Sequence, residues 1–167
     1  PLLALSEQSR SRREPFRAGL EEIMRAQIFS LGPKVEAFER ALAAYCGAKQ
    51  AIGVSSGTDA LLAILMTLGL GPGDAVVTSA YTFFATAGCI ARVGATPVFV
   101  NIDPVTFNIS PAAIESFLEK CERNAGGALI DSAGRIGWGA VRVHPFGLCC
   151  VFGPSNQPAT AIGMPVT

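Results

Sequence analysis

Short apolar segments alternate with segments of helical length between residues 50 and 102. Residues 50–54, 75–79 and 96–102 are predicted to be strands, and residues 58–68 and 83–93 are predicted to be helices between them. Strands that alternate with helices of this length form a layered unit whose sheet is mostly parallel. The sequence therefore predicts an α/β fold, with a mostly parallel sheet flanked by helices and ligands at the carboxyl ends of the strands.

The regions on either side add further elements. Residues 7–27 are polar with one apolar stripe at helical spacing, formed by Phe16, Leu20, Ile23 and Met24. A second helix is predicted from Pro33 to the residue before Gly47, because proline suits the first helical position and glycine the end. Residues 111–121 are predicted to be a helix, residues 123–139 a polar excursion with glycines, and residues 141–144 a strand.

Composition restricts the class of partner. The 167 residues include 13 basic and 13 acidic side chains, so no overall charge attracts nucleic acid or an anionic membrane. Half of the residues are hydrophobic, which is sufficient for one domain with a sizeable core. No apolar stretch reaches the roughly 18 to 20 residues that span a bilayer, and no secretion signal is visible. We therefore expect a cytoplasmic protein with a small-molecule substrate.

Cysteine and histidine suggest no further chemistry. The five cysteines are odd in number and have no Cys-x-x-Cys spacing, so reduced thiols are expected. His144 is the only histidine, and nothing in the sequence gathers cysteines around it. Neither a zinc site nor a cysteine nucleophile paired with His144 is predicted.

The predicted turn between the strand at 50–54 and the helix at 58–68 is the candidate binding site. Backbone N–H groups at the start of a helix lack partners within it, and the helix dipole favours an anion such as phosphate there. Ser55, Ser56 and Thr58 add hydroxyl groups, and Gly57 is predicted to allow close approach and a backbone conformation that other residues avoid. The same residues are also compatible with an ordinary helix cap that binds nothing.

Seven segments of this chain, in this order and spacing, resemble the DegT/DnrJ/EryC1/StrS family of sugar aminotransferases, which use pyridoxal 5'-phosphate. The similarity extends from residue 1 to about residue 111. The segments are PLL (1–3), LGPKVEAFE (31–39), VSSGTDAL (54–61), GPGD (71–74), YTFFATA (81–87), GATPVFV (94–100) and IDP (102–104).

The resemblance implies a fold and a site. The fold would be the N-terminal part of the large domain of a fold-type I aminotransferase. Gly57, Thr58 and Asp59 would bind the cofactor phosphate, and Phe83 would stack on the cofactor ring; the alternatives are a helix cap and a core phenylalanine. The implied partners are a nucleotide-linked keto sugar and an amino donor such as glutamate, in a homodimer.

The rest of the family pattern is not found in this sequence. Residues 121–139 and 148–162 diverge from it, and a reading-frame disturbance in the gene is our hypothesis for the second segment. None of Lys34, Lys49 and Lys120 matches the family's Schiff-base lysine, which follows a later strand. Residues 1–167 are therefore expected to be one incomplete cofactor domain, a fragment without catalytic residues of its own and inactive by itself.

Three other functions are compatible with the sequence. The chain could be a non-catalytic α/β module for interaction or dimerisation, or a pyridoxal-phosphate-dependent sugar dehydratase of the same family. A nucleotide-binding domain of another class is disfavoured, because neither Gly-x-Gly-x-x-Gly nor a Gly-Lys-Ser/Thr phosphate loop is present.

Overall fold

The computed structural model describes residues 9–125 and 128–141. The chain divides into two compact units, Pro1–Gly53 and Val54–Thr167. Several segments discussed above lie outside the described residues: residues 1–3, residues 7–8 of the first helix, residues 126–127 of the excursion, residues 142–144 of the strand predicted at 141–144, and the divergent segment 148–162. One incomplete domain over residues 1–167 stays a prediction.

The first unit contains the two predicted helices. Helix α1 is Arg13–Ala26 and ends at Gln27, whose left-handed φ of 54° lets its N–H bond the Ile23 carbonyl at 2.9 Å. Helix α2 is Pro33–Cys46; it begins at the predicted proline and ends at Gly47, with a φ of 64°. Both helix predictions are confirmed. The apolar stripe of α1 is largely exposed, with 75% of Phe16 accessible to solvent.

The strand predicted at residues 50–54 is wrong. Its residues have no strand conformation, and Ile52 is 80% exposed. The Gly53 N–H donates instead to Glu39 Oε1 at 2.6 Å. A strand requires a neighbouring strand for its backbone hydrogen bonds, and no segment within the described residues pairs with this one. The apolar pattern of residues 50–54 was therefore insufficient by itself to predict a strand.

The second unit contains the remaining described elements. The helices are α3 (Gly57–Thr67), α4 (Phe84–Arg92) and α5 (Pro111–Leu118). The strands are β1 (Asp74–Ser79), β2 (Thr96–Val100), β3 (Glu122–Arg123), β4 (Leu129–Ile130) and β5 (Ile136–Val141). The predicted helices at 58–68, 83–93 and 111–121 and the predicted strands at 75–79 and 96–102 are confirmed, with ends that differ by up to three residues.

The five strands form one sheet in the order β2-β1-β5-β4-β3. β1 pairs in parallel with β2 and with β5, so that Val77 lies between Val98 and Ala140. β3, β4 and β5 pair antiparallel. The core of the sheet is thus parallel around β1, as expected for a chain that alternates strands and helices.

The prediction that residues 123–139 form a polar excursion is wrong. Part of it forms the short β3–β4 pair, and the strand predicted at 141–144 begins earlier, at Ile136. Gly137 and Gly139 weaken the strand signal in the sequence, because glycine has a low β propensity. Pairing of these two glycines with Ala75 and Val76 of β1 compensates for that weakness.

Helices cover both faces of β1. Neighbouring side chains of a strand point to opposite faces, and Val76 and Val77 belong to different core clusters. Val76 packs with Leu65 of α3 and Ile90 of α4, whereas Val77 packs with Ile114 of α5. The predicted layered α/β architecture is therefore confirmed.

The turn between β4 and β5 is held by Asp131. Its Oδ1 accepts hydrogen bonds from the N–H groups of Ala133 at 2.9 Å and Arg135 at 3.0 Å, and its Oδ2 accepts from Arg135 Nε at 2.7 Å. Burial raises the pKa of Asp131. The hydrogen bonds from Arg135 and Ala133 and the charge of Arg135 lower this pKa by more than burial raises it. The net shift is downward, so Asp131 is charged at neutral pH.

Asp131→Asn is expected to reduce the free energy of unfolding by about 1–3 kcal/mol at neutral pH, because the amide loses charged hydrogen bonds to Arg135. The folded pKa lies below the unfolded value of about 3.9, so this contribution is complete above that value and disappears as the pH falls through the folded pKa. Urea unfolding at neutral and strongly acidic pH measures the difference, with the exposed Glu119→Gln as control. A difference that does not shrink in acid contradicts the assignment.

Candidate functional site

The start of α3 has the geometry of a capped helix. Ser56 is the N-cap residue with an extended backbone, φ −159° and ψ 165°, and its carbonyl accepts the Ala60 N–H at 3.0 Å. Its Oγ accepts the Asp59 N–H at 3.1 Å. One of the N–H groups at the helix start is therefore satisfied by a side chain of the chain itself.

Two serine hydroxyls in this turn donate to one carboxylate. Ser56 Oγ donates to Asp59 Oδ2 at 2.8 Å, and Ser55 Oγ donates to the same oxygen. The hydrogen bond from Ser55 lowers the pKa of Asp59 most, and the bond from Ser56 is the next largest cause. The charge of Arg92 lowers this pKa further. Sequence analysis proposed the serine hydroxyls as donors to a ligand, but in the structure Asp59 accepts from both.

Gly57 and Thr58 provide the donors that remain. Among the described residues, neither backbone N–H has a hydrogen-bond partner, and Thr58 Oγ1 has none either. Gly57 is exposed and Thr58 is half-buried. The helix dipole adds partial positive charge at this point, so two N–H groups and one hydroxyl are available to an anion.

Gly57 contributes space rather than an unusual backbone. Its φ is not in the left-handed region, so the prediction that it adopts a conformation other residues avoid is wrong. A Cβ built at Gly57 would meet no atom within 4 Å. The space next to the Gly57 Cα is therefore open, and a side chain at this position would occupy it. This open volume and its donors fit a phosphate group.

Phe83 follows the carboxyl end of β1 and is the N-cap residue of α4, with an extended backbone. The Thr86 N–H donates to its carbonyl at 3.1 Å, which fixes Phe83 at the start of the helix. Its side chain is 76% exposed, so Phe83 is not part of the core that the described residues form. The ring is accessible to a planar ligand.

The neighbouring Phe84 is also exposed but lies along its own helix. A Cβ built at Gly88, one turn later, would lie 3.2 Å from Phe84 Cε1. The Phe84 ring therefore rests on the bare backbone at Gly88. The three atoms nearest to that Cβ all belong to Phe84 and none to Phe83.

A hydrogen bond connects the first turn of α3 to α4. Cys89 Sγ donates to the Thr58 carbonyl at 3.3 Å. Cys89 follows Phe83 by six residues, which corresponds to about 9 Å along a helix axis. The structure thus brings Gly57, Thr58 and Asp59 together with the helix that carries Phe83.

Sequence analysis missed two features of this site. The pairing of Ser56 with Asp59 has a recognisable signal, because a serine three residues before an acidic residue is typical of a capping box. The contact of Cys89 with Thr58 spans 31 positions and leaves no local signal. In the part of the chain that the structure describes, no group of His, Cys, Asp and Glu could hold a metal ion, and no helix is long and apolar enough to cross a membrane.

Known proteins similar to this chain share both its sequence pattern and its fold. A family model described as "DegT/DnrJ/EryC1/StrS aminotransferase family" matches residues 11–166. The chain is 53% identical over 116 residues to the "Pleiotropic regulatory protein" of Geobacillus stearothermophilus, a match that covers 70% of this chain and 31% of the relative. It is 36% identical over 149 residues to the "UDP-2-acetamido-2-deoxy-3-oxo-D-glucuronate aminotransferase" of Pseudomonas aeruginosa, which covers 89% of this chain and 37% of the relative.

A solved structure extends the comparison. The crystal structure of NtdA from Bacillus subtilis with bound cofactor PMP matches with a TM-score of 0.81 and 31% identity, over 93% of this chain and 32% of NtdA. The chain thus spans about a third of the length of these proteins. These matches confirm the family predicted from the sequence motifs and, for that family, the cofactor. The chain belongs to the DegT/DnrJ/EryC1/StrS aminotransferase family, whose members depend on pyridoxal phosphate.

Proposed function

We propose that the protein containing this chain is a pyridoxal-phosphate-dependent aminotransferase of a nucleotide-linked keto sugar, with an amino donor such as glutamate. The observation that carries the proposal is the open start of α3, where Gly57 and Thr58 present N–H groups that the described residues leave unpaired. The substrate class is supported by the P. aeruginosa relative, whose name specifies a UDP-linked 3-oxo sugar acid.

In this proposal, the phosphate of the cofactor binds at the start of α3. The N–H groups of Gly57 and Thr58 and the Thr58 hydroxyl donate to its oxygens, and the helix dipole stabilises its charge. The Asp59 N–H already donates to Ser56 Oγ, so Asp59 belongs to the site by ordering the serine hydroxyls. This arrangement holds the phosphate without a cationic side chain from the first turn of α3.

Phe83 is proposed to bind one face of the cofactor ring. Its exposed ring lies at the start of α4, and the Thr86 N–H bond fixes the backbone that carries it. Stacking orients the ring and shields one face from water. When bound, pyridoxal phosphate supplies an electron-withdrawing ring that stabilises negative charge next to the substrate's amino group.

The lysines of this chain are not proposed to react with the cofactor. Lys34, Lys49 and Lys120 are all exposed, and Lys34 forms an ion pair with Glu22. A lysine becomes nucleophilic near neutral pH when burial or a neighbouring cation favours its neutral form. We therefore propose that the 167-residue chain is inactive by itself and that the Schiff-base lysine belongs to another part of the protein.

We also propose a cytoplasmic location and a homodimer. The location is supported by Cys46, Cys89 and Cys121, which are free thiols in the described part of the chain. The homodimer is supported by the exposed apolar stripe of α1, which a second copy would cover. The same stripe favours the second candidate function, a non-catalytic module for interaction or dimerisation.

In the complete gene product, Thr58→Val is expected to weaken cofactor binding about tenfold or more, because it removes a hydrogen bond to a charged phosphate. Pyridoxine phosphate is a suitable probe for calorimetric titration, since it has no aldehyde and cannot react with lysines. Thr67→Val is the matched control: it removes a hydroxyl that donates to the Ala63 carbonyl at the far end of α3. Equal affinities of wild type and Thr58→Val would remove Thr58 from the site.

Phe83→Ala is expected to weaken binding of the same probe by about two- to tenfold, because the ring loses its stacking partner. Its effect on inorganic phosphate, which has no ring, should be negligible. Phe84→Ala is the control, since that ring lies against Gly88. Loss of affinity in Phe84→Ala, with no change in Phe83→Ala, would show that the wrong phenylalanine has been assigned.

The complete gene product is expected to transfer amino groups to keto sugar nucleotides. A panel of such sugars and of ordinary keto acids, assayed with glutamate and glutamine as donors, measures this directly. The 167-residue chain assayed in parallel should be inactive, because its three lysines are exposed. Activity on keto acids alone would refute the sugar assignment, and no activity on any substrate would favour the non-catalytic module.

A further inference from the structure

Cys89 occupies a position between the two elements of the candidate site. It is 2% exposed and packs with Leu65 of α3 and Ile90 of α4 in one core cluster. Its Sγ donates to the Thr58 carbonyl at 3.3 Å. The thiol is therefore shielded from solvent and from any ligand, and it has no role of its own in the proposed chemistry.

We propose that Cys89 is a positioning residue that sets the spacing between the phosphate-binding turn at Gly57–Thr58 and the ring of Phe83. The inference rests on the proposed function, because it assigns these two groups to one ligand. Cys89 acts only through the backbone of Thr58 and through the helix that begins after Phe83.

The argument starts from the rigidity of a helix. Phe83 and Cys89 are joined by the first two turns of α4, so the position of Cys89 determines that of Phe83 to within the stiffness of the helix. Cys89 in turn contacts the carbonyl of Thr58, the residue whose N–H and hydroxyl would donate to the phosphate in the proposed function. A shift of α4 along or around its axis would therefore move the ring relative to the phosphate.

The directional contact distinguishes Cys89 from its apolar neighbours. Leu65 and Ile90 hold the two helices together, but the hydrophobic effect is non-directional and does not single out one backbone group as a partner. A hydrogen bond to one carbonyl selects one register of the two helices, although a thiol is a weak donor. Loss of this bond should leave both helices folded and relax only their relative position.

Two probes separate spacing from simple anion binding. Inorganic phosphate requires only the turn at Gly57–Thr58, whereas pyridoxine phosphate requires the turn and the Phe83 ring at the correct distance. The ratio of the two dissociation constants therefore reports the spacing. Backbone amide shifts of Gly57 and Thr58, followed by NMR during each titration, give both constants and verify the place of binding.

Cys89→Ala is expected to reduce the preference for pyridoxine phosphate over inorganic phosphate about two- to fivefold, with the phosphate affinity unchanged. Cys89→Ser retains a donor and should restore the preference. Cys121→Ala is the matched control, because its Sγ donates to Phe117, four residues earlier, at 3.5 Å and connects no second element. It should leave the ratio unchanged even if it lowers stability.

The remaining outcomes distinguish the two proposals. An unchanged ratio in Cys89→Ala, with a preference in the wild type, overturns the positioning role and leaves the proposed function intact. A parallel loss of affinity for both probes also overturns it, because Cys89 would then shape the turn itself. A wild type that does not prefer pyridoxine phosphate overturns both proposals.

Discussion

The double pairing of β1 is the constraint on which the second unit depends. Every residue from Ala75 to Ser79 is at most 2% exposed, because β2 and β5 flank the strand and helices cover both faces. The Ala80 N–H extends the pairing to the Val100 carbonyl at 3.0 Å. Because β1 is paired at both edges and covered on both faces, its position in the unit is fixed. The backbone that follows β1 and leads to Phe83 therefore starts from a fixed position.

The proposed phosphate and the carboxylate of Asp59 would compete for the same helix start. Asp59 already places a carboxylate there, stabilised by two serine hydroxyls and by the charge of Arg92. A phosphate would experience repulsion from that carboxylate, and it can bind only where Asp59 does not. The N–H groups of Gly57 and Thr58 are such a place, since the carboxylate of Asp59 is turned toward Ser55 and Ser56.

Local patterns predicted the local structure well. The helix that begins at Pro33 was predicted from its first residue and from Gly47 at its end, and the helix predicted at 111–121 begins at Pro111, where Ser110 Oγ accepts the Ala113 N–H. The strand β1 was predicted from its apolar residues Ala75, Val76 and Val77. The glycine-bearing β5 was placed too late, and residues 50–54 were wrongly made a strand, because a strand depends on a partner that periodicity does not reveal.

The candidate site was predictable in its parts but not in its assembly. Gly57 and Thr58 were predicted because a helix start is a local feature, and the family motif around them adds the expected ligand. Whether Phe83 is a core residue or an accessible ring depends on what packs against it, and the same sequence pattern fits both. The distance from that ring to the helix start depends on how α4 lies against α3, and there a single buried thiol contacts the Thr58 carbonyl. A family motif therefore leaves undetermined the register in which two correctly predicted helices meet. In this chain, that register places Cys89, in an otherwise apolar cluster, next to the Thr58 carbonyl.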